Sequence, residues 1–442
     1  MSVMAKVVKF GGSSLASAEQ FKKVKDIITA DSARRFVVPS APGKRSSSDT
    51  KVTDMLYSCY DLAVKGKDFS EQFEKIKERY YDIISELGLD LSLEDEFDIV
   101  KACFIGKAGR DYAASRGEYL NGIVLANYLG FNFIDAADVI FFNDAGQFDA
   151  KKTGKELSAR LESLENAVVP GFYGSMPNDT IKTFSRGGSD VTGSIVAAAV
   201  GADIYENWTD VSGFLTCDPR IVDDPAPIKT ITYKELRELS YMGATVLHED
   251  AIFPVRKAGI PINIKNTNKP DDEGTMIVES TSRKPQYTIT GIAGKKGFTV
   301  VNIEKDMMNA EIGFGRKVLE VFEKNGICFE HMPSGIDTMS VVVHQEEFAP
   351  KEQEILSGLH RNCQPDIIDI ETDLALIAVV GRAMKSNRGT AGRIFSALAH
   401  AHVNVKMIDQ GSSELNIIIG VSEQDFEKAT KAIYDIFVET KL

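Results

Sequence analysis

Cysteine is scarce and scattered: Cys59, Cys103, Cys217, Cys328 and Cys363 are the only five in 442 residues, with no CxxC pair among them. That argues against a disulfide framework or a cysteine-built zinc site and fits reduced thiols in the cytoplasm. The six histidines include no HExxH motif; His400 and His402, two apart near a strand start, read as surface residues rather than metal ligands. No apolar run reaches the ~18 residues that a membrane span needs. The opening MSVMAKVVKFGG lacks the apolar stretch of a signal peptide and reads as a first strand. Basic residues are in deficit, 51 Lys and Arg against 64 Asp and Glu, for a net charge of −13. A nucleic acid or an anionic membrane is therefore not the expected main partner. A small anionic substrate remains open, because a local cluster of cations and N–H groups can invert the field inside a cleft. Three nucleotide signatures are also missing: the GxxxxGK[ST] loop, the HRD…DFG set and a strand-borne GxGxxG.

What is present is enough to fold. The chain is 43% apolar and 26% charged, so each domain can bury a core, and at roughly 150 residues per domain the length suggests about three. Val7–Phe10 is a short apolar run that breaks at Gly11-Gly12, with helical spacing from about Ala18. Phe36–Pro39, Phe131–Ile134, Ala167–Val169 and Asp203–Asn207 read as further strands. Amphipathic helices occupy about 51–130, where Leu56, Tyr60 and Ala63 recur at helical spacing. Strands alternating with helices predict a mostly parallel sheet covered on both faces, over residues 1–285. Beyond a linker near 280–285 the chain repeats itself at an offset of about 76 residues. Val318-Leu319, Ile327, Phe329 and Val341–Val343 match Ile394-Phe395, Val403, Val405 and Ile417–Ile419. Two small related α+β domains are expected, at 286–370 and 371–442, with 286–295 as an alternative source of a strand for the second.

Three glycine-bearing loops could carry chemistry. Lys9-Phe10-Gly11-Gly12-Ser13-Ser14 follows a strand; adjacent glycines let N–H groups approach phosphate oxygens, and Lys9 adds a positive charge. An ordinary tight turn with a solvated lysine is the competing reading. Ser185-Arg186-Gly187-Gly188-Ser189-Asp190 opens an apolar helix around Thr192–Val200, so Arg186 could grip a carboxylate while Asp190 caps or catalyses. Trp208-Thr209-Asp210-Val211-Ser212-Gly213, with Thr216–Arg220 beyond it, is by itself only a polar loop. Together the three could converge at one end of a parallel sheet, where α/β proteins bind ligands.

In this order, the motifs resemble the aspartate kinases of the amino acid kinase superfamily over nearly the whole length. They are KFGGSS at 9–14, VVPSAPG at 37–43, TDML at 53–56, RGEYL at 116–120, SRGGSD at 185–190, WTDVSGFLTCDPR at 208–220, YMGATVLH at 241–248 and IKNT at 264–267. The C-terminal copies resemble paired ACT domains, the amino-acid-binding modules of that family. The resemblance implies an amino acid kinase-like α/β fold plus two ferredoxin-like ACT domains. It also implies transfer of the γ-phosphoryl group of MgATP to the side-chain carboxylate of L-aspartate, giving 4-phospho-L-aspartate for lysine, threonine and methionine synthesis.

On that resemblance Lys9 neutralises the transferring group, Phe10, Gly11 and Gly12 face the phosphates, and Asp190 organises lysine and nucleotide. Arg186 takes the α-carboxylate and Glu118 the α-ammonium, with Ser40, Thr53 and Ser189 lining the pocket. Thr209, Asp210, Leu215, Asp218, Pro219, Arg220, Thr245 and Val246 form the nucleotide side. Leu215 stands where many relatives have Tyr, and Thr245 where many have Lys. Met308, Phe314, Gly315, Cys328, Phe329, Glu330 and Ser334 are the implied contacts of a lysine or threonine effector. Phe314 and Phe329 as core residues, with a solvated Glu330, is the competing reading there. Pairing of ACT sheet edges predicts a homodimer or a dimer of dimers. The alternatives are a glutamate or N-acetylglutamate kinase, or a non-catalytic amino-acid sensor. A fusion with homoserine dehydrogenase is not expected, since no dinucleotide domain precedes Leu442.

Overall fold

The computed structural model describes residues 5–439 apart from Arg186, Thr245, Val246, His248 and Lys284. They fall into two compact units. One comprises Met1–Phe214, Lys229–Tyr233 and Val246–Thr281; the other comprises Leu215–Ile228, Lys234–Thr245 and Ser282–Leu442. The short segments 215–228 and 234–245 thus go with the C-terminal unit although they precede residue 285.

In the first unit the chain runs β1 (Lys6–Phe10), α1 (Ala18–Thr29), β2 (Arg34–Pro39), α2 (Val52–Val64), α3 (Ser70–Glu86), α4 (Glu94–Ile105) and α5 (Arg110–Leu129). It continues with β3 (Asn132–Phe133), α6 (Ala136–Val139), α7 (Ala150–Glu162), β4 (Ala167–Val168), β5 (Tyr173–Ser175), β6 (Ile181–Thr183), α8 (Gly188–Val200) and β7 (Ile204–Thr209). After β8 (Thr230–Thr232) comes α9 (Tyr233–Tyr241), nearly all of which goes with the other unit; α10 (Glu249–Ala258), β9 (Ile262–Asn266) and β10 (Thr275–Val278) complete the first. Eight strands form one sheet in the order β3-β4-β2-β1-β7-β9-β10-β8, antiparallel only between β9 and β10. The central strands read KVVKF and RRFVVP because parallel strands are covered on both faces. Side chains still alternate. Val8, Phe10, Val37 and Trp208 join a core with Phe21, Leu56, Phe73, Tyr80, Phe97 and Leu120 from α1 to α5. Val7 and Lys9 are left on the face covered by α8, which packs on β1, β2 and β7.

In the second unit both copies run strand, helix, strand, strand, helix, with an extra α-helical turn in the first. β11 (Gly291–Glu304), α11 (Phe314–Lys324), β12 (Phe329–His331), β13 (Thr338–His344), the single turn α12 (Gln345–Phe348) and α13 (Glu352–Cys363) make the first copy. β14 (Ile367–Val380), α14 (Thr390–His400), β15 (Val405–Asp409), β16 (Asn416–Ser422) and α15 (Phe426–Tyr434) make the second. Val318, Ile327, Val341 and Val343 lie in one core, and their matches Ile394, Val403, Ile417 and Ile419 lie in another. The two copies share one sheet, ordered β12-β13-β11-β14-β16-β15.

That sharing is an exchange. The first half of β11, Gly291–Lys296, pairs with Ala375–Val380 of β14, a stretch that also pairs with β16. The second half, Phe298–Glu304, pairs with β13 and with the first half of β14. Each long strand therefore serves one module with one half and the other module with the rest. The register shifts on either side of Phe298, next to Gly297 at φ +87° and across from Asp373 at φ +58°; glycine takes such a backbone without strain. The sheet's edge strands come close enough for His331 Nδ1 and Asp409 Oδ2 to hydrogen-bond at 2.7 Å.

Two early segments build into this unit. Cys217 and Val222 are buried among Ile292, Ile377, Tyr434 and Phe437. On α9, fully buried Glu235 accepts from Thr290 Oγ1 at 2.5 Å, from the Arg382 N–H at 2.9 Å and from its guanidinium at 3.0 Å. A buried carboxylate survives only with such partners.

Candidate active site

The carboxyl ends of β1, β2, β4 and β7 meet the N-terminus of α8. β1 and β7 pair in parallel with Lys9 opposite Asn207, so both side chains project to the α8 face. Helix α8 starts at Gly188, four residues before the sequence pattern suggests, because Gly187 takes a left-handed turn at φ +57°. Its first turn brings Asp190 Oδ1 to 2.5 Å from Lys9 Nζ. Asn207 completes a triangle: its Nδ2 donates to Asp190 Oδ1 at 2.9 Å and its Oδ1 accepts from Lys9 at 3.4 Å. Lys9 is only 7% exposed. Tyr205, two residues earlier on the same face, donates to the Asp190 carbonyl at 3.2 Å.

The glycine loop sits on the same platform. Gly11 N–H donates to the Trp208 carbonyl at 3.0 Å, and Ser40 N–H to that of Phe10 at 3.0 Å. Phe10 itself is fully buried, its ring stacked on Trp208 with centroids 6.0 Å apart, so only its backbone faces the loop. Gly12 and Gly43 lie backbone to backbone, with Gly43 N–H donating to Gly12 O at 2.8 Å. A Cβ on Gly43 would lie 2.6 Å from the Gly12 carbonyl carbon. If the loop holds nucleotide, as the resemblance implies, Gly43→Ala is expected to push it out of place and raise KM for ATP roughly tenfold or more, measured by steady-state kinetics on folded protein. Buried Arg79 fastens the other side, reaching Gly43 O at 2.5 Å, Ala16 O at 3.2 Å and Asp49 at 2.6 Å.

Helix α5 supplies a wall of the same cluster. Its backbone lies against the 40–43 loop: a Cβ on Gly117 would be 2.8 Å from Ala41 Cβ and 3.6 Å from Thr53 Oγ1. Asn121 Nδ2 donates to Ser40 O at 2.6 Å. Glu118 is buried and accepts the Ala41 N–H, but its Oε2 has no partner. Burial pushes this carboxyl up to about 8, against the pull of the Ala41 N–H and of Arg116. Arg116 is buried among the rings of Tyr112, Tyr119 and Tyr173. Ser189 completes the wall at Gly171, where a Cβ would be 2.6 Å from its Oγ.

Lys9, Gly11, Gly12, Ser40, Thr53, Glu118, Ser189 and Asp190 therefore gather in the first unit. Thr209 ends β7 and donates to Asp210 at 3.2 Å. Leu215, Asp218, Pro219 and Arg220 belong to the second unit; Leu215 bridges to Pro227, and Arg220 forms an ion pair with Asp218 at 2.5 Å. Arg186, Thr245 and Val246 lie outside the described residues. In the regulatory unit Met308 and Phe314 are core residues, with Gly315 following in the first turn of α11. Cys328, Phe329 and Ser334 are exposed. Glu330 is not solvated: its side chain is 6% exposed, 3.0 Å from His344 Nε2 and hydrogen-bonded by Tyr241. Asn207 and Arg79 were not singled out by the sequence reading. For the first, the available signal was a pair of polar residues, Glu206 and Asn207, inside a buried strand between Tyr205 and Trp208.

Residues 4–266 match the sequence model of the amino acid kinase family, and residues 377–437 that of an ACT domain. The chain is 40% identical to aspartokinase 3 of Bacillus subtilis, over 98% of both chains. It belongs to the aspartokinases. Chloroplastic aspartokinase 1 of Arabidopsis thaliana is 30% identical, over 98% of this chain and 80% of that one. The crystal structure of aspartate kinase from Clostridium acetobutylicum superposes with a TM-score of 0.91 at 54% identity, covering 98% of this chain and all of the other. E. coli aspartokinase III, solved with aspartate and ADP, shares the fold at a TM-score of 0.71 and 23% identity, over 98% of this chain and 99% of that one. This aspartokinase is an ATP-dependent enzyme whose parallel sheet carries the Lys9–Asp190 pair and whose C-terminal unit is of the ACT type. Among the described residues no helix is long and apolar enough to cross a membrane.

Proposed function

We propose that a side-chain carboxylate oxygen of L-aspartate attacks the γ-phosphorus of ATP at the Lys9–Asp190 pair, forming the acyl phosphate as the bond to the β-phosphate oxygen breaks and ADP leaves. Both reactants are anions, so the protein's work is positioning and charge neutralisation. Lys9 offsets charge on the transferring group, and Asp190 holds Lys9 in place. No general base is needed, since the nucleophile is already ionised. The observation that carries the substrate assignment is the buried, unpartnered Oε2 of Glu118. A free ammonium group both satisfies it and balances its buried charge, whereas an N-acetylated amine keeps one N–H but brings no charge. Arg186 is assigned the α-carboxylate by its place in the SRGGSD motif.

The glycine loop passes beside the lysine, a Cβ on Gly11 lying 3.6 Å from Lys9 Nζ, and this supports nucleotide phosphates next to that cation. Mg²⁺ would arrive with them and lower the charge that the attacking carboxylate meets. Hydroxylamine traps the acyl phosphate, so the test is ATP- and Mg²⁺-dependent hydroxamate formation from L-aspartate, L-glutamate and N-acetyl-L-glutamate. Turnover with aspartate alone is expected. Turnover with the N-acetylated substrate would overturn the assignment of Glu118, and no turnover in folded protein would leave the sensor reading in its place.

Regulation is read from the second unit. E. coli aspartokinase III has been solved with lysine and aspartate, and a lysine or threonine effector is proposed here. Its ammonium group would compete for Glu330 with His344 and Tyr241. Glu330→Gln is expected to raise the effector concentration for half-inhibition about tenfold while leaving uninhibited kcat within about twofold, in the same hydroxamate assay. A homodimer or dimer of dimers through the ACT-type unit is proposed as its assembly. The free cysteines support a cytoplasmic location.

A further inference from the structure

Asn207 stands outside every motif that carries the resemblance, yet it touches both members of the charged pair. The geometry points to Asn207 as a positioning residue for phosphoryl transfer, the group that keeps Asp190 aimed when Lys9 turns from Asp190 toward the incoming phosphoryl group. This rests on the proposed roles of Lys9 and Asp190.

Three observations carry it. The amide is 3% exposed and set directly opposite Lys9 by the β1–β7 register, so it has no freedom to swing away. Its two ends meet the partners that suit them, Nδ2 giving a proton to a carboxylate and Oδ1 accepting one from an ammonium. A flipped amide would set NH₂ against NH₃⁺, so only one orientation is compatible with both neighbours. Thirdly, Lys9 and Asn207 converge on the same oxygen, Asp190 Oδ1. When Lys9 transfers its hydrogen bonds to a phosphoryl oxygen, that oxygen keeps one donor instead of being left bare in a buried site. The neighbouring Trp208 carbonyl holds Gly11, so one strand end fixes both the lysine partner and the phosphate loop.

Asn207→Asp separates this role from simple packing. The replacement has the same shape and can still accept from Lys9, but once ionised it cannot donate to Asp190 and repels it. The ionisable groups set around it are Lys9 from β1, Asp190 from α8 and Tyr205 from β7. Two carboxyls in contact share a proton at lower pH, and the protonated one can donate as the amide did. At pH 8 kcat is expected to fall about 10²-fold with KM for aspartate within about twofold. The ratio of variant to wild-type kcat should then climb as pH is lowered from 8 to 6. Asn207→Leu, of similar size and without polar atoms, should lose kcat to a similar extent with no such recovery; it decides the matter if Asn207→Asp does not fold. Lys9→Ala is assayed alongside. If Lys9→Ala is inactive while a folded Asn207 variant keeps kcat within about threefold of wild type, or if the Asn207→Asp ratio is flat with pH, this inference falls alone. If Lys9→Ala itself retains activity, the reading beneath it falls.

Discussion

Lys9→Ala is expected to lower kcat for hydroxamate formation from aspartate by roughly 10³-fold or more, with KM for aspartate changed far less. Single preorganised donors in buried sites are worth about 10²–10³ in kcat, and a cation supplied to a transferring phosphoryl group about 10³–10⁵. In the proposed mechanism Lys9 is both, held 7% exposed on the strand face that α8 covers. Asp190→Ala should follow it closely, because among the described residues it leaves the ammonium with only the Asn207 oxygen at 3.4 Å. Steady-state kinetics on variants that melt within a few degrees of wild type would check both. A Lys9→Ala enzyme within tenfold of wild type would remove the charged pair from the mechanism.

Glu118→Gln should abolish useful affinity for aspartate and, at the same time, stabilise the protein. Burial lifts the folded-state pKa to about 8 from an ordinary 4.5. Between those values the folded chain holds a proton that the unfolded chain has lost, so folding takes up a proton and stability falls as pH rises. Above 8 the penalty is fully present and constant. The variant escapes it, so its melting temperature should exceed that of wild type more at pH 8 than at pH 5; the gain is of the order of a few kcal/mol, at roughly 1.4 kcal/mol per pKa unit. Binding has the opposite slope. Only the ionised carboxylate pairs with the substrate ammonium, so wild-type KM for aspartate should rise toward tenfold per pH unit on going below 8. A KM that is flat from pH 6 to 8.5 would exclude Glu118 as the ammonium partner.

Much of the fold could be read without coordinates, and the reason is physical. Parallel strands buried on both faces produce runs such as VVKF that stop at glycines, and a module used twice leaves matched apolar residues at a fixed offset. What could not be read depends on partners far along the chain. Asn207 gains its role from pairing with a strand 198 residues earlier. Cys217 and Val222 look like ordinary loop residues, yet Ile377 and Phe437 bury them. Glu118 lies on a helix buried around much of its circumference, where no periodicity marks one carboxylate as special; the family motif singled it out, and the structure adds the orphaned oxygen. Glu330, open to a bland reading as a solvated acid, is instead held by His344 and Tyr241.

The exchanged halves of β11 and β14 bear on how such a protein can change over generations. A crossover between genes at the 370/371 boundary would splice two parents in the middle of one continuous strand, and each parent would then have to supply half of a ladder shaped by the other. Inheritance of the two modules is consequently joint. Recombination can exchange the pair only with the 215–228 and 234–245 segments that build into it, whereas one module can diverge alone only by point substitutions that its sister's borrowed strand tolerates. The junctions at Gly297 and Asp373 are where that tolerance should be narrowest, and a library of chimeras between relatives would show it as a gap in the viable breakpoints.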